Sequence, residues 1–202
     1  MADLLWPGDH RAGKHLSDGE VVRAMLRVET AWLAALVDAG VAPAGAAVDL
    51  VRCVGQVDQA SLALGAEDGG NPVIPLLALV RERLADVHPE AALWVHRGLT
   101  SQDVLDTALV LGLRDAVDAV LRRVDAQVGS LVGLAERHRA DPMAGRTLTQ
   151  HAVPVTFGLK AAQWLQGVLD ARDDLRDARD RLPVQIGGAA GTLAAPAELL
   201  RL

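Results

Sequence analysis

The chain has 202 residues, half of them hydrophobic and 23% charged, with a formal net charge of -6. That length is enough to bury a substantial core, and the acidic balance lacks the basic footprint that nucleic-acid binding requires. A single cysteine, Cys53, excludes an internal disulfide; no apolar run approaches the length of a bilayer span, and the N-terminus lacks a basic region followed by an apolar one, so neither a membrane role nor secretion is expected, and the protein is read as cytoplasmic.

Aromatic residues make up only 2%, and Ala, Leu and Val dominate the apolar set, a composition that favours helices over strands. The first helix is expected from Ser17, which has the capping-box spacing to Glu20 and is followed by Val21, Met25, Val28, Trp32 and Leu36 at helical intervals, with Gly40 ending it. A shorter helix is expected after Pro43 toward Cys53, another over about 57–64, then a break at Gly69, Gly70, Asn71 and Pro72, and a further helix over 73–84. These short elements are grouped as an N-terminal helical domain, residues 1–95.

From residue 96 the pattern lengthens. Thr100 or Ser101 caps a helix whose apolar positions, from Val104 through Leu113 and Val124 to Leu134, keep returning to one side as far as about His138. Such a helix would be on the order of 50 Å long, a length that belongs to bundles. After a break at Asp141 and Pro142 and a turn at Gly145, Arg146 and Thr147, a second long helix is expected from near Pro154 to near Leu182, antiparallel to the first. A glycine-rich segment, 187–192, precedes a helix opened by Pro196 that the chain leaves after a turn or two. Residues 96–202 therefore read as the start of a long-helix bundle domain, truncated at its C-terminal side.

Polar residues gather at the helix junctions. The first group is His96, Arg97, Gly98, Leu99, Thr100, Ser101, Gln102 and Asp103, where the unpaired N–H groups and positive dipole end of a long helix sit beside two hydroxyls and a guanidinium. This arrangement suits a carboxylate ligand; equally, Thr100 or Ser101 could simply cap the helix, with His96 and Arg97 solvated. The second group is Gly145, Arg146, Thr147, Leu148, Thr149, Gln150 and His151. His151 is able to exchange protons near neutral pH and Gln150 to orient a carboxylate; a polar interhelical turn accounts for the same residues. In the glycine-rich segment, positive φ and close backbone approach would admit an anion, or the segment is a flexible connection. No His, Cys, Asp and Glu grouping has metal-ligand spacing, so no metal is expected.

Taken in order, these groups resemble the fumarase/aspartase superfamily, with Thr100, Ser101 and Asp103 matching its Thr-Ser-x-Asp region and Gly145, Arg146, Thr147 and Gln150 its Gly-Arg-Thr region. The fuller strings over 94–103 and 142–147, together with 154–160 and the Gly-Gly-Ala-Ala-Gly-Thr loop, are most similar to the superfamily's 3-carboxy-cis,cis-muconate cycloisomerase branch. The resemblance implies an all-α subunit, homotetrameric assembly with each active site built from three subunits, no cofactor, and a small dicarboxylate or tricarboxylate substrate. In this branch a muconate carboxylate closes to a lactone within protocatechuate catabolism. It assigns His96, Arg97, Thr100, Ser101, Arg146, Thr147 and Gln150 to substrate binding and His151 to proton transfer. Two departures stand out: Leu148 occupies the place where many superfamily lyases carry a histidine, and the family's third region, a flexible loop bearing the catalytic serine, is not in the chain. A cycloisomerase needing a complementing segment and a non-catalytic paralogue both remain open, as does a lyase acting on a succinate-type substrate.

Overall fold

A computed structural model describes residues 7–200. The fold is all-α apart from one small hairpin. In chain order the elements are α1 (Asp18–Asp38), α2 (Leu50–Val54), α3 (Gln59–Gly69), α4 (Val73–Leu84), α5 (Pro89–Trp94), α6 (Ser101–Arg137), strands β1 (Pro142–Arg146) and β2 (His151–Thr156), α7 (Phe157–Asp180) and α8 (Ala194–Leu200). Two compact units result. One contains the residues up to Leu113 together with those from Pro183 onward; the other is Arg114–Leu182. No helix among the described residues is long and apolar enough to cross a membrane.

In the first unit, α1 buries Met25, Leu26, Leu33 and Leu36 against Leu50 and Val54 of α2, Val73, Leu76 and Val80 of α4 and Val104 and Ala108 of α6, one continuous apolar cluster. Burying each such aliphatic side chain stabilises the fold by roughly 1.5–3 kcal/mol relative to exposure, before entropy is counted. Local chemistry sets the helix starts. Asp49 caps α2 by accepting from the N–H groups of Val51 and Arg52, and Asp58 caps α3 by accepting from that of Ala60. Ser17 does occupy the N-cap of α1 with extended backbone, yet its hydroxyl makes no cap bond, so the capping box expected with Glu20 is not formed. Arg83 reaches from α4 to the carbonyls of Val54 and Gln56 just past α2, covering acceptors that the short helix leaves unpaired.

In the second unit the later part of α6 and α7 run antiparallel. Asp118 takes both Nε and Nη2 of Arg179, at 2.9 and 3.3 Å, while Asp125, two turns further along α6, meets Arg176 at 3.3 Å, earlier in α7. The connection differs from the expected bare turn. It is an antiparallel hairpin pairing Met143 with Val155, Ala144 with Pro154 and Arg146 with His151, with an irregularity between Ala144 and Arg146. Pro142 and Pro154, read from sequence as breakers, are accommodated because both strands of a two-stranded sheet are edges, where a missing N–H can face outward. Helix α7 accordingly starts at Phe157 rather than Pro154, and Thr156 caps it by accepting from the N–H of Leu159 at 3.1 Å. The close return is made possible by Gly158: a Cβ there would stand 2.6 Å from the carbonyl oxygen of Ala135 and 2.7 Å from that of His138.

Candidate active site

The first polar group forms the connection from α5 to the N-terminus of α6, and α1 holds it in place. Glu29, 1% exposed, accepts the backbone N–H of His96 on Oε2 at 2.9 Å and meets His96 Nδ1 with Oε1 at 2.6 Å. One turn along the same helix face, Trp32 Nε1 donates to the carbonyl of Arg97 at 2.8 Å, and from α4 Arg81 donates to the carbonyl of Val95 at 3.2 Å. These bonds fix a backbone in which His96 has φ 65° and Gly98 φ 89°. The His96 side chain is 15% exposed, so it is neither solvated nor sealed. Arg97 is exposed, its guanidinium 4.4 Å from the centroid of the Trp94 ring.

Asp103 ties the start of α6 to the returning chain. Its Oδ2 accepts from the N–H of Thr100 at 3.0 Å, closing the first turn of α6 from within. Oδ1 accepts from the N–H of Gly187 at 2.7 Å, and Gly188 donates to both oxygens at 3.1 and 3.3 Å. The glycine-rich segment therefore does present backbone N–H groups to an anion, but the anion is the chain's own buried Asp103, 1% exposed. Thr107, one turn further, bonds both the carbonyl and the N–H of Gln185, at 3.0 and 3.1 Å. Thr100 and Ser101 thus stand partly exposed at a helix terminus whose surroundings are held from α1, α4 and the returning chain.

The second polar group lies in the other unit, at the tip of the hairpin. Arg146, Thr147, Gln150 and His151 are all exposed there. Arg146 and His151 are cross-strand partners, and the tip is closed by the N–H of Thr147 donating to the carbonyl of Gln150 at 3.1 Å. Gly145 is buried beneath them, where a Cβ would come within 2.5 Å of the Val153 carbonyl oxygen. Each group is therefore ordered by its own unit: His96, Arg97, Thr100 and Ser101 by the first, Arg146, Thr147, Gln150 and His151 by the second. Among the described residues no group of three or more His, Cys, Asp or Glu is placed to hold a metal ion. A cavity of about 680 Å³ in the first unit, at the start of α1, is lined by none of these eight residues.

Sequence reasoning missed Glu29. The signal was present: Glu29 lies four residues from both Met25 and Leu33, on the buried stripe of an otherwise apolar helix face.

A sequence model described as lyase matches residues 11–197. The chain belongs to the fumarase/aspartase superfamily of lyases. Within that superfamily it is 44% identical over 181 residues to nitrosuccinate lyase of Streptomyces davaonensis, covering 89% of this chain and 38% of that protein. It is 42% identical to 3-carboxy-cis,cis-muconate cycloisomerase of Bradyrhizobium diazoefficiens, covering 88% and 40%. The crystal structure of the 3-carboxy-cis,cis-muconate lactonizing enzyme from Pseudomonas putida superposes with a TM-score of 0.82 at 36% identity over 96% of this chain and 47% of that one. The chain thus spans about two fifths of the length of the curated superfamily relatives it matches.

Proposed function

We propose that the chain contributes the substrate-binding N-terminal part of a cytoplasmic, homotetrameric enzyme that converts 3-carboxy-cis,cis-muconate to a carboxymuconolactone in protocatechuate catabolism. The observation that carries this reading is the pinned N-terminus of α6, where Thr100 and Ser101 stand beside first-turn N–H groups in a setting suited to one carboxylate. The identity to cycloisomerases supports the choice of reaction. Exposed apolar positions along the long helices, among them Leu109, Leu113, Val120, Val132, Leu159 and Trp164, support assembly.

In the reaction a carboxylate oxygen of the muconate adds to a double-bond carbon, forming the C–O bond while the π pair moves to the neighbouring carbon, which takes a proton. Atoms and electrons balance without a redox partner. In the proposed tetramer, Thr100, Ser101 and Arg97 of one subunit, with His96 nearby, are assigned to one carboxylate and Arg146, Thr147 and Gln150 of a different subunit to another, so that binding fixes the attack geometry. His151 is assigned the proton.

A second reading is elimination from a nitrosuccinate-type substrate, favoured by the 44% identity to a nitrosuccinate lyase. Here a C–H proton is removed and the leaving group departs from the adjacent carbon with the bonding pair. Both readings are tested by following 3-carboxy-cis,cis-muconate by its ultraviolet absorbance, and nitrosuccinate in parallel, with the purified chain alone and mixed with the remaining C-terminal portion of a homologous cycloisomerase. Decay of the muconate supports the first reading. Loss of nitrosuccinate alone replaces it with the second, and turnover of neither in any mixture overturns both.

A further inference from the structure

Glu29 sits on the face of α1 that also buries Met25, Leu33 and Leu36, a position where a carboxylate is costly unless its oxygens are bonded. Both oxygens are engaged by one residue, His96, through its backbone N–H and its ring Nδ1. The chain on either side of His96 is already held without Glu29, by Arg81 at the carbonyl of Val95 and by Trp32 at the carbonyl of Arg97. The ring contact is therefore more than the loop requires. His96 also keeps φ 65°, a conformation disfavoured for a residue with a side chain and tolerated where neighbours over-determine it.

We propose that Glu29 is a positioning residue: it holds the neutral His96 imidazole as the Nδ1–H tautomer, so that Nε2 presents a lone pair beside the N-terminus of α6. Oε2 of Glu29 already accepts the His96 N–H, and in this proposal Oε1 accepts likewise, which places the proton of the 2.6 Å contact on Nδ1. A neutral His96 then offers Nε2 as a hydrogen-bond acceptor at the edge of the site and leaves the carboxylate itself to Thr100, Ser101 and Arg97. In the elimination reading Nε2 takes the C–H proton and the imidazolium charge faces the Glu29 carboxylate; in the lactonisation reading, where the substrate gains its proton from His151, Nε2 serves only as a hydrogen-bond acceptor. The catalytic part of this inference rests on His96 belonging to the substrate site proposed above.

The tautomer is read directly by long-range proton–nitrogen correlation on the full chain labelled with ¹⁵N-histidine, at an alkaline pH where the ring is neutral, with His96→Asn identifying the resonances. The expected result is a pyrrole-type Nδ1 and an imine-type Nε2 for His96, lost or mixed in Glu29→Gln. A wild-type spectrum with Nε2 protonated overturns the proposal, and it decides the matter even if Glu29→Gln does not fold. So does an unchanged pattern in Glu29→Gln. In the complemented assay, Glu29→Gln is expected to lower kcat by roughly 10²-fold with KM little changed, and Glu29→Asp to restore part of it; an unchanged kcat refutes the positioning role. Because the spectrum is taken without substrate, the expected tautomer alongside turnover of neither substrate would sink the proposed function and leave the Glu29–His96 assignment standing.

Discussion

The hydroxyl of Thr107 donates to the carbonyl of Gln185 at 3.0 Å and accepts from the N–H of the same residue at 3.1 Å. A single buried side chain on α6 thus satisfies both backbone groups of a residue 78 positions later, just before the glycine-rich segment turns back toward Asp103.

Replacing Thr107 with Val keeps the shape and removes both bonds. Gln185 is exposed enough for water to take over part of the pairing, so the expected loss is about 1–2 kcal/mol, read as a lower urea midpoint with an unchanged slope. An unchanged midpoint would mean that these bonds contribute nothing net.

Asp103 carries more. Asn at this position keeps one acceptor oxygen but turns an amide NH₂ toward the N–H groups of Gly187, Gly188 and Thr100, which lose a charged partner. Stability should fall by about 2–3 kcal/mol. Amide hydrogen exchange over 187–193 should rise above the increase elsewhere in the chain, and equal exchange in parent and variant would contradict the clamp.

For Gly158 the argument is steric. The three nearest atoms to an added Cβ, at 2.6–2.7 Å, are all backbone, at Ala135, His138 and Arg139, and cannot rotate away. Gly158→Ala is therefore expected to cost about 1–3 kcal/mol through displacement of α7 from the end of α6. A melt indistinguishable from the parent would show that the approach relaxes freely.

The Asp118–Arg179 pair supplies a pH dependence. The hydrogen bonds from Arg179 hold the Asp118 carboxyl below the 3.8 of an ordinary aspartate. A depressed folded-state value contributes stability that is complete above the unfolded value and fades as pH falls through the folded one. The melting temperature of Asp118→Asn should therefore lie below the parent's at pH 7 and converge with it in strong acid. The pair is accessible to solvent, so the neutral-pH gap should also shrink with added salt. A gap independent of pH would assign the effect to something other than charge.

Much of this architecture was legible from spacing. Helix α4 is where its periodicity places it, and α6 runs from Ser101 to Arg137 as its returning apolar positions require. The hairpin was not legible. Its strands are short, each contains a proline, and in a window that small a broken helix pattern and an edge strand look alike. Asp49 and Asp58 cap helices whose short apolar runs made them easy to overlook, whereas Ser17 has the right spacing to Glu20 and leaves its hydroxyl out of the cap. At the candidate site, residue types and order pointed to the two polar groups. The buried position of Glu29 was readable from the α1 stripe, but its pairing with His96 and the bonding of Asp103 to the glycine segment were out of reach, because each joins residues 67 or more positions apart and no local pattern encodes a partner at that distance.

That separation has a consequence for how the chain acquires its structure. Asp103 has no glycine N–H to bind until residues 187 and 188 exist, so during synthesis its carboxylate must wait in water while everything from α7 onward is still being made. The entropy of closing a loop rises with its length, and a hairpin followed by a folded α7 shortens the flexible span that must be closed. The favoured order then places the Asp103 clamp after formation of Arg114–Leu182, with the N-terminal end of α6 receiving these last contacts when the chain returns. The glycine clamp on Asp103, rather than the α1 and α4 contacts to residues 95–97, would then be among the last links of the molecule to close.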